Sequence, residues 1–174
     1  MNIFENEIFI QALGFIGTII IAVGMQQKTY DRVMICKIGN AFFGSLQYLL
    51  LGGYTGMILN FVSCGANGIY WYRIKKKRST LVFQIIFGVM FVVLGLITWH
   101  GWISVFAIMA KVISTVSLGI NNTRVIRIMN LMSTPCWLVY NIFMGSIGGV
   151  CSDLIVLTSV IIAVIRIDIM GKSQ

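Results

Sequence analysis

Seven apolar runs, each near the length of a bilayer crossing and separated by a few residues, leave this chain little from which to build a water-facing surface. They are Ile8–Met25, Met34–Gly52, Thr55–Tyr72, Leu81–Ile97, Trp102–Ile120, Met129–Met144 and Val150–Ile165. A crossing takes about 20 residues, so 174 residues hold about seven or eight crossings and no soluble domain. Composition agrees: 10% of residues are charged and 58% apolar, whereas a soluble domain carries about a quarter charged residues. In hydrocarbon every backbone group must be satisfied internally, by helices or closed barrels. The runs lack a barrel's alternation and contain one proline, Pro135. The expectation is an all-α polytopic membrane protein, with residues 1–174 as a single membrane domain.

The placement of charge gives the chain a direction. Lys28, Arg32 and Lys37 flank the first connection, Arg73, Lys75, Lys76, Lys77 and Arg78 fill the third, Arg124 and Arg127 the fifth, and Arg166 and Lys172 follow the last run. The second, fourth and sixth connections hold no lysine or arginine, and Glu5 and Glu7 precede the first run. Such alternation requires an odd number of crossings, and it predicts the N-terminus outside and the C-terminus cytoplasmic. The acidic start lacks a basic n-region, so the first run is expected to be a retained helix rather than a cleaved signal. The formal charge of +8 is thereby explained by topology and anionic lipid, and nucleic acid is excluded as a partner. Tyr54, Trp99, Trp102 and His100 fall at the outer boundary, and Tyr30, Tyr70, Trp71 and Tyr72 at the inner one, as interfacial belts require.

Sliding the chain along itself sets Gly52 onto Gly145, Gly56 onto Gly149, Asn60 onto Asp153, Asn40 onto Ser133 and Gly44 onto Trp137. The expected plan is two parallel triple-helix repeats, residues 8–72 and 102–165, joined by a linker helix over 81–97, a 3+1+3 arrangement. The stretch Gly24-Met25-Gln26-Gln27-Lys28-Thr29-Tyr30 looks like a degenerate Pro-Gln turn of PQ-loop proteins. The segment from Asn40 through Gln47-Tyr48-Leu49-Leu50-Leu51-Gly52 to Asn60 resembles the YgjV-like bacterial inner membrane proteins, distant relatives of the SWEET and PQ-loop (MtN3-like) group. That resemblance implies a bacterial inner-membrane location and, for the wider group, movement of small polar solutes. It also implies a central pocket lined by Asn60 and Asp153, where SWEET-type carriers have asparagines, and by Trp137. The hinge prolines of that group are missing apart from Pro135, and one asparagine is a carboxylate, which puts alternating access and a sugar substrate in question.

Lys111 and Asp153 lie inside apolar runs. A charge at the bilayer centre costs roughly 3 kcal/mol or more, so such groups face a bundle interior or an aqueous cavity. At about 1.5 Å per residue, Lys111 is about 14 Å and Asp153 about 5 Å from the outer face. They pair with each other and lock two helices, or serve a solute or proton, or Lys111 stays free and snorkels between helices. With Asn40, Asn60 and Trp137 they form the candidate substrate-binding set. Gly14, Gly17, Gly65 and Gly68 are expected at close helix contacts. Cys36, Cys64, Cys136 and Cys151 form no CxxC pair and suit small buried positions. No HExxH, P-loop, GxSxG or GxGD pattern occurs, so neither an enzyme nor a cofactor is expected. Two readings compete: a small-polar-solute carrier with a pocket between the triplets, and a non-transporting assembly factor or partner-binding subunit whose buried charges are structural. The bilayer is the partner in both, and the sequence leaves the oligomeric state open.

Overall fold

The structure, a computed structural model, describes residues 7–50, 54–99, 101–143 and 147–170. Gly52, His100, Gly145 and Lys172, which entered the repeat, belt and charge arguments, lie outside the described residues, as does the side chain of Tyr54. Among the described residues there are seven α-helices and no strand: α1 Glu7–Met25, α2 Tyr30–Leu50, α3 Tyr54–Lys75, α4 Leu81–Ile97, α5 Ser104–Leu118, α6 Thr123–Phe143 and α7 Ile147–Ala163. A π-helical turn, Val164–Ile169, carries α7 onward. Taken singly, Tyr30–Leu50 and the continuous helix Gly149–Ile169 combine the length and hydropathy of a full crossing, while Phe9–Met25, Leu81–Ile97 and Ser104–Leu118 are apolar but shorter.

Local chemistry places the ends. The Asn122 side chain accepts from the backbone N–H of Arg124 at 2.9 Å, an N-cap that starts α6 well ahead of the apolar run at Met129. At the end of α3, Arg78 N–H reaches Arg73 O and Lys77 N–H reaches Ile74 O, both at 2.9 Å. Lys77 has φ 52°, so the helix closes in a Schellman motif. Gly101, at φ 91°, makes the turn into α5, a conformation that a side chain would oppose.

Helix α2 packs between α1 and α3, and α6 between α5 and α7. The ring closes directly where α1 meets α7, and through α4 where it wedges between α3 and α5. The polarity of this ring is inverted relative to a water-soluble bundle. Helix α4 turns Leu81, Val82, Ile85, Ile86 and Val89 outward, and Ile97 is 74% exposed. Inside, Lys111 is 8% and Arg127 2% exposed, with Asn67, Asn130 and Asn141 buried beside them. Lipid solvates such an exterior and water does not.

Several expectations are corrected here. Tyr30 and Tyr70 are core residues rather than belt residues: both are buried, and their hydroxyls donate to Leu118 O at 2.6 Å and Phe83 O at 3.3 Å. Trp99, Trp102 and Tyr72 do stay exposed. A side chain at Gly14 would strike Gln47, and one at Gly17 would lie 3.3 Å from Asn40. Gly65 and Gly68 face open space and make no such contact. None of the cysteines is fully buried, and Cys151 is exposed.

Candidate functional site

Residues from all seven helices line one partly open cavity of about 210 Å³. Its wall is built by helical spacing. On α2, Lys37, Asn40, Gly44 and Gln47 recur at intervals of three and four residues. On α6, Asn130, Ser133, Trp137 and Asn141 do the same. Residues so spaced share one face of a helix, and in both helices that face is the polar one turned inward.

All five residues singled out from the sequence, Asn40, Asn60, Lys111, Trp137 and Asp153, border this cavity. The structure brings Asn60 and Lys111 together: Lys111 Nζ donates to Asn60 Oδ1 at 3.1 Å and to Ser63 Oγ at 2.9 Å. The same ammonium lies 5.5 Å from the centre of the Trp137 ring and 5.9 Å from that of Phe91. It is thus held by neutral dipoles and ring faces. Asn40 sits where α1 and α2 approach closely over Gly17.

Of the alternatives for Lys111 and Asp153, the mutual ion pair does not form. Asp153 Oδ2 accepts from Asn141 Nδ2 at 2.8 Å, and Lys111 turns toward α3 instead.

Lys37, Arg127 and Asp168 were not recognised as interior residues. The sequence places Lys37 beside the first connection, yet it borders the cavity and its Nζ donates to Asn130 Oδ1 at 3.0 Å. Its spacing from Asn40, Gly44 and Gln47 was the available signal. The sequence places Arg127 in the fifth connection, but it lies within α6 and is among the most buried side chains. It grips Asp168 through Nε to Oδ2 at 2.8 Å and Nη2 to Oδ1 at 2.5 Å, and its Nη1 donates to Gln27 O at 3.0 Å. Gln26 Nε2 adds a bond to Ser159 O at 2.6 Å, and Arg166 Nη2 one to Gln26 Oε1 at 2.9 Å. These bonds tie the connection after α1, the start of α6 and the end of α7 into one polar layer beyond the cavity.

No curated protein and no solved structure matches the chain significantly. A family model described as bacterial inner membrane protein, Imp-YgjV, matches residues 8–170, nearly the whole length of an inside-out helical ring around a polar cavity. The chain belongs to the Imp-YgjV family of bacterial inner membrane proteins.

Proposed function

We propose that this protein is a carrier or facilitator for a small polar solute, which it holds in the cavity between helices α1–α3 and α5–α7. The observation that carries the reading is the cavity itself. A wall of amides, hydroxyls and two lysines inside an apolar bundle is costly to keep in a bilayer, and a purely structural core is better filled with apolar side chains. At about 210 Å³ it has the volume of roughly seven water molecules, the size of a small metabolite.

Two parallel repeats with α4 as linker are part of this proposal. Two observations support them. A Cβ at Gly56 would fall 2.7 Å from the Tyr48 ring, and one at the matching Gly149 would fall 2.6 Å from Asn141, which matches Tyr48. Lys37 bonds Asn130, its own counterpart in the alignment of the halves, as happens to residues on a two-fold axis. The same plan is the ground for relating the chain to the SWEET and PQ-loop group. For orientation we take the N-terminus as outside. Exposed Lys28, Arg32, Lys75, Lys76, Arg124 and Arg166 belong to helix ends that converge, and Thr123 Oγ1 reaches Lys28 O at 3.4 Å across that end.

The competing reading, an assembly factor or partner-binding subunit with structural charges, draws on one observation: Lys111 already has two neutral oxygen acceptors within the protein. Purified protein in lipid nanodiscs, screened by thermal shift against polar metabolites and reconstituted for uptake, separates the two. The carrier reading expects a stabilising solute class and uptake that Lys111→Met and Asp153→Asn diminish. If no solute class stabilises the wild type and both variants leave fold and growth unchanged, the carrier reading is lost.

A further inference from the structure

The cavity's charges do not balance. Among the described residues it is bordered by two ammonium groups, Lys37 and Lys111, and one carboxylate, Asp153. The partners of the lysines are neutral: Asn130 for Lys37, Asn60 and Ser63 for Lys111. Asp153 takes its bond from the Asn141 amide. The ion pair formed by Arg127 and Asp168 satisfies itself and lends the cavity no charge. A buried cation surrounded by neutral dipoles is only partly compensated, and a desolvated site strengthens whatever anion completes it.

We propose that the solute of this cavity is a small monoanion of the carboxylate class, seated against Lys37 and Lys111. The inference rests on the solute-site reading above and narrows it. One negative charge brings the two lysines and Asp153 to neutrality. A divalent phosphate would leave the cavity one charge in excess, and a free cation would meet two ammonium groups. Among the described residues the cavity wall contains no arginine, whose fork would grip a carboxylate or a phosphate bidentately, so the solute's charge is left to the lysines. A lysine offers a compact charge that a carboxylate oxygen meets at one point. Asn40 and Ser133, facing the same space, supply amide and hydroxyl groups for the polar remainder of the solute.

The full chain in nanodiscs is tested by thermal shift with sodium L-lactate and sodium glycerate. Lactamide and glycerol serve as uncharged counterparts, inorganic phosphate in a buffer alkaline enough for the dianion to dominate as the doubly charged probe, and sodium chloride at equal ionic strength as blank. The expected result is saturable stabilisation by the carboxylates, with the uncharged counterparts and phosphate at least tenfold weaker. Lys37→Asn with Lys111→Thr, the residues at the matching positions Asn130 and Thr18 of the other half, should abolish that preference. Equal stabilisation by lactate and lactamide, tighter binding of phosphate, binding of nothing in the panel, or a preference that survives the double substitution would each overturn the inference. The wild-type comparison stands even if the double variant fails to fold. Proteoliposome uptake separates the two levels: carboxylate binding without uptake defeats the carrier reading alone, and uptake of glycerol without carboxylate binding defeats the anion inference alone.

Discussion

Removing Asp168 should be the most damaging single change available at the polar layer below the cavity, worse than removing its partner. In the native chain Arg127 and Asp168 side chains are 2% and 6% exposed and meet through two parallel bonds. Breaking one side of a buried pair costs about 3–5 kcal/mol, because the survivor is left as an uncompensated buried charge. After Asp168→Ala the guanidinium keeps only Gln27 O at 3.0 Å and a long 3.5 Å approach to Thr123 Oγ1. It cannot shed its charge, so the loss should lie at the upper end, about 4–5 kcal/mol. Arg127→Met leaves a carboxylate, which can escape by taking up a proton, and should cost nearer 3 kcal/mol. The double variant Arg127→Met with Asp168→Leu removes both charges and restores apolar contact. Such replacements are often neutral or stabilising, so it should recover most of the loss.

The assay is unfolding by sodium dodecyl sulfate in mixed micelles, followed by tryptophan fluorescence, for wild type, both singles and the double. A coupling energy of about 3 kcal/mol or more between the two sites is expected. Single effects that add to within about 0.5 kcal/mol, the ordinary behaviour of independent sites, would refute the argument that the charges hold each other inside the bundle.

Three further outcomes follow from the same contacts. Gly95→Ala places a methyl group against Ile108, where α4 meets α5; it should cost about 1–3 kcal/mol in the same unfolding assay, and Ile108→Ala in that background should return part of it. Gly56→Ala, 2.7 Å from the Tyr48 ring, should also cost about 1–3 kcal/mol, because a ring cannot fold aside as a flexible chain does. A cysteine replacing Lys76 in a cysteine-free background should react with an impermeant maleimide in inside-out vesicles only; labelling of intact cells would reverse the orientation.

The helices were legible because a bilayer-length apolar run admits few alternatives, and Lys111, Asp153, Asn60 and Asn40 were legible because a polar group inside such a run is costly and must face inward. Lys37 and Arg127 were missed for the converse reason. Near the end of an apolar run a basic side chain ordinarily goes to the headgroups, and only the early helix starts, at Tyr30 and after the Asn122 cap, place these two inside. Asp168 was hidden further. The last run was expected to end at Ile165, but the π-helical turn Val164–Ile169 continues it and delivers the carboxylate to Arg127. Such a turn has no hydropathy signature. Tyr30 and Tyr70 show the limit of belt reasoning: tyrosine suits an interface and a core equally when a backbone carbonyl is there to accept its hydroxyl.

The distribution of charge between the proposed halves argues that the cavity is more than packing. Each of its charged residues faces, in the alignment of the halves, a neutral polar residue that also borders the cavity: Lys37 with Asn130, Lys111 with Thr18, Asp153 with Asn60. The bonds respect that relation. Lys37 reaches its own counterpart. Lys111 reaches Asn60, the counterpart of Asp153, and Thr18, the counterpart of Lys111, lies 2.9 Å from Ser152, next to Asp153. If the halves are repeats as proposed, the neutral member of each pair marks a setting in which an uncharged residue suffices, and helix packing alone does not demand the charge. Had the lysines served only to bind helices together, an amide would have done so with far less desolvation cost. What the charges add, and the amides cannot, is an electrostatic preference for the proposed solute.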